Sequence, residues 1–226
     1  MRRRLPPVRA ALAAAVLCTA AAMAFVLLPG NGPPPDFGTR TTGDTRSAEA
    51  PVPAPHSTPP SASGAGRPGT DALPAGPPAE PAGIRIDRVG LAARVEPVGV
   101  LENGTVEVPT SPDAAGWYRF GVAPGSERGS AVLVGHVDHA TGELGEFAAL
   151  YDVRAGDEVS VRRDGAEPAR YRITAREVVD QERLPPGLFR REGPPVLTLI
   201  TCAPPYDEGT GYRNNLVVTA EPRQRA

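Results

Sequence analysis

Three side chains in this chain of 226 residues offer a nucleophile, an acid/base and a fixed positive charge. Cys202 closes the apolar, β-branched run Leu197-Thr198-Leu199-Ile200-Thr201. His136 follows the near-continuous apolar run Ala131 to Gly135, and Arg213 lies in Tyr212-Arg213-Asn214-Asn215. A thiolate can attack a carbonyl and carry the acyl group as a thioester, which divides amide cleavage into two easier steps. An imidazole, with an ordinary pKa of about 6.5, can protonate the leaving amine. A guanidinium stays charged and can hold a carbonyl oxygen as negative charge develops on it. Taken singly, each has a plainer explanation: a buried small hydrophobe for the cysteine, a structural histidine, a solvated charge at a strand end. They carry chemistry only as a set. His139 is a neighbouring decoy on a loop, and His56 lies in a proline-rich stretch. One cysteine with two adjacent histidines has no zinc-ligand spacing.

The strands that must bring the set together are legible from period-two geometry. Val132, Val134 and His136 share one strand face, and Thr198, Ile200 and Cys202 share another. If the two strands are parallel neighbours, His136 and Cys202 meet at one rim. An antiparallel return through residues 203–211 then brings Arg213 back to it. Further strands are expected at 84–87, 91–101, 105–108, 158–163, 171–179 and 216–220, with hairpin turns at Glu102-Asn103-Gly104 and Asp164-Gly165. Short helical signals fall at 145–151 and 112–116. Seven or eight short strands at this spacing predict an all-β barrel or sandwich.

The rest of the chain sets the context. Residues 1–9 form a basic tail with Arg2, Arg3, Arg4 and Arg9, followed by a nearly unbroken apolar stretch over 10–28. As a helix it spans roughly 28 Å, close to the hydrocarbon thickness of a bilayer. The arginines on its N-terminal side place the N-terminus in the cytoplasm and the remainder outside. A cleavable signal peptide is the rival, with Ala20-Ala21-Ala22 as a cleavage region, but the apolar run continues past it. Cys18 lies in this stretch and cannot reach Cys202, so Cys202 is a free thiol in an oxidising compartment. Residues 29–82 hold 14 of the 28 prolines and one aromatic residue, Phe37. This composition predicts a disordered spacer, on the order of 170 Å long if fully extended. The folded domain is expected at 83–222. A net charge of −2 argues against nucleic acid as a partner. All 24 basic residues are arginine, so lysine chemistry within this chain is excluded.

Gly116-Trp117-Tyr118, Pro124-Gly125, the stretch Gly129 to Asp138 with Gly135-His136-Val137-Asp138 at its end, Leu197 to Cys202 and Tyr212-Arg213-Asn214-Asn215 together resemble a bacterial sortase. The resemblance covers residues 84–220, keeps the order His, Cys, Arg, and is nearest to the actinobacterial class F type, with class E as the neighbouring pattern. It implies an eight-stranded sortase-type β-barrel with one or two short helices, preceded by the transmembrane helix and the spacer. It implies a transpeptidase that cleaves an LPxTG-type sorting signal between Thr and Gly. Cys202 would form the thioester, His136 would protonate the leaving group and Arg213 would stabilise the transition state. Thr201, Val134 and Ile200 would position the substrate, and residues 181–195 would wall the signal pocket. The implied partners are surface proteins bearing sorting signals and an amine of a cell-wall precursor. The enzyme would be a membrane-anchored monomer of a high-GC Gram-positive bacterium. No cofactor is implied, and no acidic cluster for calcium is seen, so no metal is expected. His139 and residues 143–147 depart from what usually follows the histidine motif.

Two other readings compete. Another Cys/His cell-wall peptidase is disfavoured by spacing and order. An L,D-transpeptidase places cysteine just after a histidine-glycine pair, whereas here the two are 66 apart (202 − 136). A papain-like amidase places cysteine before histidine. The non-enzymatic alternative is a membrane-tethered β-domain acting as an adhesin or binding module.

Overall fold

The computed structural model describes residues 35–39, 79–139 and 141–223. The expected basic tail, the apolar stretch 10–28 and most of the spacer lie outside these residues. Eight strands close into a barrel: β1 (Pro81–Ile86), β2 (Leu91–Val98), β3 (Ala114–Tyr118), β4 (Ser130–Gly135), β5 (Glu158–Arg163), β6 (Ala166–Asp180), β7 (Val196–Asp207) and β8 (Gly211–Pro222). Their order is β1-β2-β3-β4-β7-β8-β6-β5, with β5 returning to β1. The pairs β2/β3 and β4/β7 are parallel; the other pairings are antiparallel. This is the all-β eight-stranded barrel that the family resemblance implied, and it resolves the barrel-or-sandwich choice left by the strand pattern.

The pleat sorts side chains between two apolar clusters. Ala131 and Leu133 of β4, Leu197 and Leu199 of β7 and Leu216 and Val218 of β8 point into the barrel. There they meet Phe147 and Leu150, fully buried residues of the 3-10 helix Glu146–Asp152. The alternate residues Val132, Val134, Ile200 and Val217 form a second cluster on the outer face with Val98 and Leu188. Both faces of β4 and β7 are therefore buried, which is why these strands read as apolar runs without alternation. The outer cluster is covered by the β6–β7 connection, whose 3-10 helices span Gln181–Arg183 and Pro186–Phe189.

Several elements differ from expectation. Ala114–Tyr118 is strand β3, not the helical segment read at 112–116. Its Ala-Ala-Gly opening has no β signature, and tertiary pairing with β2 and β4 decides its state. Gly116 permits the close approach, since a Cβ there would lie 2.8 Å from Val98 Cγ1 and 2.9 Å from Pro109 Cδ. Residues 105–108 form no strand; the turn folds back through the single bridge Val100↔Val106. Strand β7 does not end at the thiol but continues to Asp207, and β8 begins at Gly211, so a short hairpin replaces the loop expected over 203–211. The spacer is also not featureless: Phe37 pairs with Arg176 of β6.

Candidate active site

In the parallel β4/β7 ladder Ser130 faces Val196 and Val134 faces Ile200, a constant offset of 66 (196 − 130 = 200 − 134). That offset equals 202 − 136, so continuing the register one residue past the end of β4 sets His136 level with Cys202. The buried Thr201 hydroxyl donates to the Gly135 carbonyl at 2.8 Å and locks the two strands at this level. On the other side Cys202 pairs with Asn215 of β8. Arg213 lies two residues before Asn215, so the antiparallel return does carry it toward this end of the sheet. Its side chain is exposed, and its charge acts on Asp207.

The thiol opens into a cavity of about 270 Å³ on the outer face of the barrel. Val134, Ile200, Thr201 and Asn215 line it together with Cys202; Leu184 and Phe189 come from the β6–β7 connection, and Val106 and Val108 from the β2–β3 connection. The lining is largely apolar, as ligand-binding clefts usually are. The three predicted positioning residues Thr201, Val134 and Ile200 thus sit at the thiol. A larger depression of about 790 Å³ is lined by Gly125, Ser126, Arg163, Tyr171, Pro195 and Arg223 and includes neither a cysteine nor a histidine. It adjoins Pro195 at the start of β7, seven residues before Cys202 (202 − 195), and is not the reacting site.

The electrostatics favour a neutral resting thiol. Burial pushes the Cys202 pKa up, and the Asp138 carboxylate adds to the rise by disfavouring a second negative charge. His136 Nε2 lies 2.6 Å from the Pro109 carbonyl. A carbonyl can only accept, so Nε2 carries a proton and Nδ1 is the basic atom of the neutral ring.

Three participants were not assigned roles by sequence reasoning. The Tyr151 hydroxyl donates to the Cys202 carbonyl at 3.0 Å. Burial, reinforced by Cys202 and Asp138, pushes its pKa to about 12, so it remains a donor at neutral pH. The Tyr212 hydroxyl donates to Asp138 Oδ2 at 2.5 Å, and the Asn214 amide donates to the Pro204 carbonyl at 2.6 Å. Tyr212 and Asn214 flank Arg213 in a motif already singled out. Tyr151 lies in the last turn of the 3-10 helix Glu146–Asp152, far from any motif, and nothing in its local sequence signals a contact 51 residues away.

A closed barrel with a cysteine on one parallel strand, a histidine just past the end of its parallel neighbour, and an apolar groove at the thiol is the architecture of a cysteine transpeptidase of the sortase type. The chain belongs to the sortase family: the sortase domain model matches residues 84–223, or 140 of 226 residues. Members of this family are cysteine transpeptidases that act on surface proteins with sorting signals. Among solved structures, the chain is similar to sortase A from Corynebacterium diphtheriae (23% identity, TM-score 0.51, 65% of this chain and 62% of that one). It is also similar to the lid mutant of that protein (23%, 0.50, 65% and 71%) and to sortase C1 from Streptococcus agalactiae (20%, 0.50, 64% and 68%). At these identities the likeness establishes the fold. No curated protein matches the chain.

Proposed function

We propose that this protein is a sortase of the class F type that cleaves an LPxTG-type signal between Thr and Gly and transfers the acyl group to an amine of a cell-wall precursor. The observation that carries the reading is the shared register of His136 and Cys202 beside an apolar groove floored by Val134 and Ile200. Because the resting thiol is neutral, attack begins with its proton passing to His136 Nδ1. Sulfur bonds to the threonine carbonyl carbon, and Arg213 holds the oxygen that becomes negative. The imidazolium returns the proton to the leaving glycine nitrogen as the C–N bond breaks, leaving a thioester on Cys202. An incoming amine then attacks the thioester, gives its proton to His136 and displaces the thiolate, which is reprotonated. Thr201 keeps the two strands level, and the groove residues seat the aliphatic part of the signal. The class assignment rests on the Gly135-His136-Val137-Asp138 and Tyr212-Arg213-Asn214-Asn215 motifs. Residues 10–28 anchor a monomer in the cell membrane, with the catalytic domain outside.

Mass spectrometry of the full chain mixed with a panel of sorting peptides is the test. An adduct on the Cys202 peptide, of the mass of the fragment up to threonine, is expected with LPxTG-type sequences, together with its loss in Cys202→Ala. Equal cleavage by Cys202→Ala would remove the nucleophile assignment. Failure of every peptide, with and without an amine acceptor, would favour a binding module.

A further inference from the structure

β6 outruns its neighbour. Its residues 166–172 pair with β5, and from Tyr171 to Asp180 it pairs with β8 on the other side. Beyond Ile173, whose amide and carbonyl still bond Asp157 and Gly156, β5 and the turn before it no longer cover this edge of β6, the kind of edge that recruits an added strand. Residues 35–39 occupy it. Phe37 and Arg176 exchange both backbone hydrogen bonds at 2.9 Å, and the Val178 amide donates to Asp36 Oδ1 at 2.9 Å. Gly38 lies at φ +69°, where a Cβ would come 2.1 Å from the Thr174 carbonyl oxygen, so the fit requires glycine.

Beneath this segment lies Arg176, an arginine only 5% exposed. Its guanidinium is 5.0 Å from the centre of the Phe37 ring and donates to the Pro35 carbonyl at 3.0 Å. It also donates to the carbonyls of Tyr151 (2.5 Å) and Val153 (2.9 Å). The Tyr151 hydroxyl in turn holds the Cys202 carbonyl. A buried cation must be satisfied by fixed acceptors, so the placement of Arg176 depends on Pro35 and Phe37 above it and fixes Tyr151 beside it.

We propose that residues 35–39 are an intrachain β-clasp that seals the open edge of β6 and, through Arg176 and Tyr151, positions the backbone at Cys202. The clasp touches no substrate; Phe37, Arg176 and Tyr151 are positioning residues. Their bearing on catalysis rests on Cys202 being the nucleophile, but the contact chain itself does not.

The test uses the full chain and two readouts that need no sorting substrate. One is hydrogen exchange at the Arg176 and Val178 amides; the other is the rate at which iodoacetamide alkylates Cys202, read on its own peptide so that Cys18 does not interfere. Phe37→Ala should raise the exchange about tenfold, as expected for losing a packed aromatic ring, and Gly38→Val, whose side chain would clash with the Thr174 carbonyl, should raise it as well. Both should also speed alkylation at least about threefold, the effect of one backbone hydrogen bond. Phe37→Tyr, which keeps the ring, should match the parent in both. Tyr151→Phe should reproduce the faster alkylation without changing exchange at residues 176 and 178. Protected β7 amides in every variant verify an intact barrel. Unchanged exchange in both clasp variants would show that the segment does not dock. Faster exchange with unchanged alkylation would overturn the link to Cys202. Neither result bears on whether a sorting peptide is cleaved.

Discussion

Replacing Gly135 with alanine probes how the barrel places its histidine. Gly135 is the last residue of β4, immediately before His136. A Cβ added there would lie 2.6 Å from Phe147 Cγ and 2.8 and 2.9 Å from the ring carbons beside it. Ordinary carbon contacts are about 3.5–4.0 Å, so the ring or the strand must yield by roughly 1 Å. Phe147 is fully buried, and its amide donates to the His136 carbonyl at 3.2 Å. The ring therefore cannot retreat without pulling on the histidine. Overpacking of this kind costs about 1–3 kcal/mol, which in a domain of this size lowers Tm by roughly 3–10 °C. A 1 Å displacement of an acid/base group reduces turnover by up to about 10²-fold. Thermal melts and peptide transpeptidation of Gly135→Ala should show both losses, with kcat falling and KM little changed. Phe147→Leu combined with Gly135→Ala makes room and should recover most of the kcat. If Gly135→Ala matches the parent in stability and rate, or the second change recovers nothing, the contact does not position His136.

Other substitutions separate reactivity from scaffold. Asp138→Asn keeps an acceptor for Tyr212 but removes the negative charge that helps to raise the Cys202 pKa. The midpoint of alkylation against pH should move down, yet remain above that of an ordinary thiol because burial persists; an unchanged or higher midpoint contradicts the assignment. Thr201→Val deletes the bond to the Gly135 carbonyl with little change in shape. Urea titration should show a loss of about 1 kcal/mol, and no loss would mean the bond does not lock β4 to β7. Tyr171→Phe is a control away from the groove, where the phenol oxygen accepts the Gly125 amide at 2.6 Å. Stability should drop by about 1 kcal/mol with transpeptidation unaltered, and a lowered rate would mean that the two ends of the barrel are coupled.

Chain order and periodicity alone made the centre of the site legible. The even-numbered residues of 132–136 and 198–202 had to share faces, because successive side chains alternate on any strand. The Asn103-Gly104 and Asp164-Gly165 turns were equally readable, since both glycines adopt positive φ. What local pattern could not supply was long-range pairing. Strand β3 looked helical because Ala-Ala-Gly has no strand preference of its own, and the ends of β6, β7 and β8 are set by partners elsewhere in the chain. The segment 35–39 reads as spacer because Pro35, Asp36, Gly38 and Thr39 around one phenylalanine acquire meaning only against the edge of β6.

The sequence by itself named the candidate set: one thiol among the described residues, one histidine after an apolar strand, and an arginine beyond the next turn, with the faces on which the strand residues lie. Tertiary structure decided that β4 and β7 are parallel at an offset of 66, the register that, continued past β4, sets His136 level with Cys202. It also decided that the groove lies on the outer face of the barrel and that Tyr151 holds the Cys202 carbonyl. The physical reason is that face and period are properties of a single strand. Register, neighbour and burial belong to pairs of strands, and only the closed barrel selects among the pairings the chain could make.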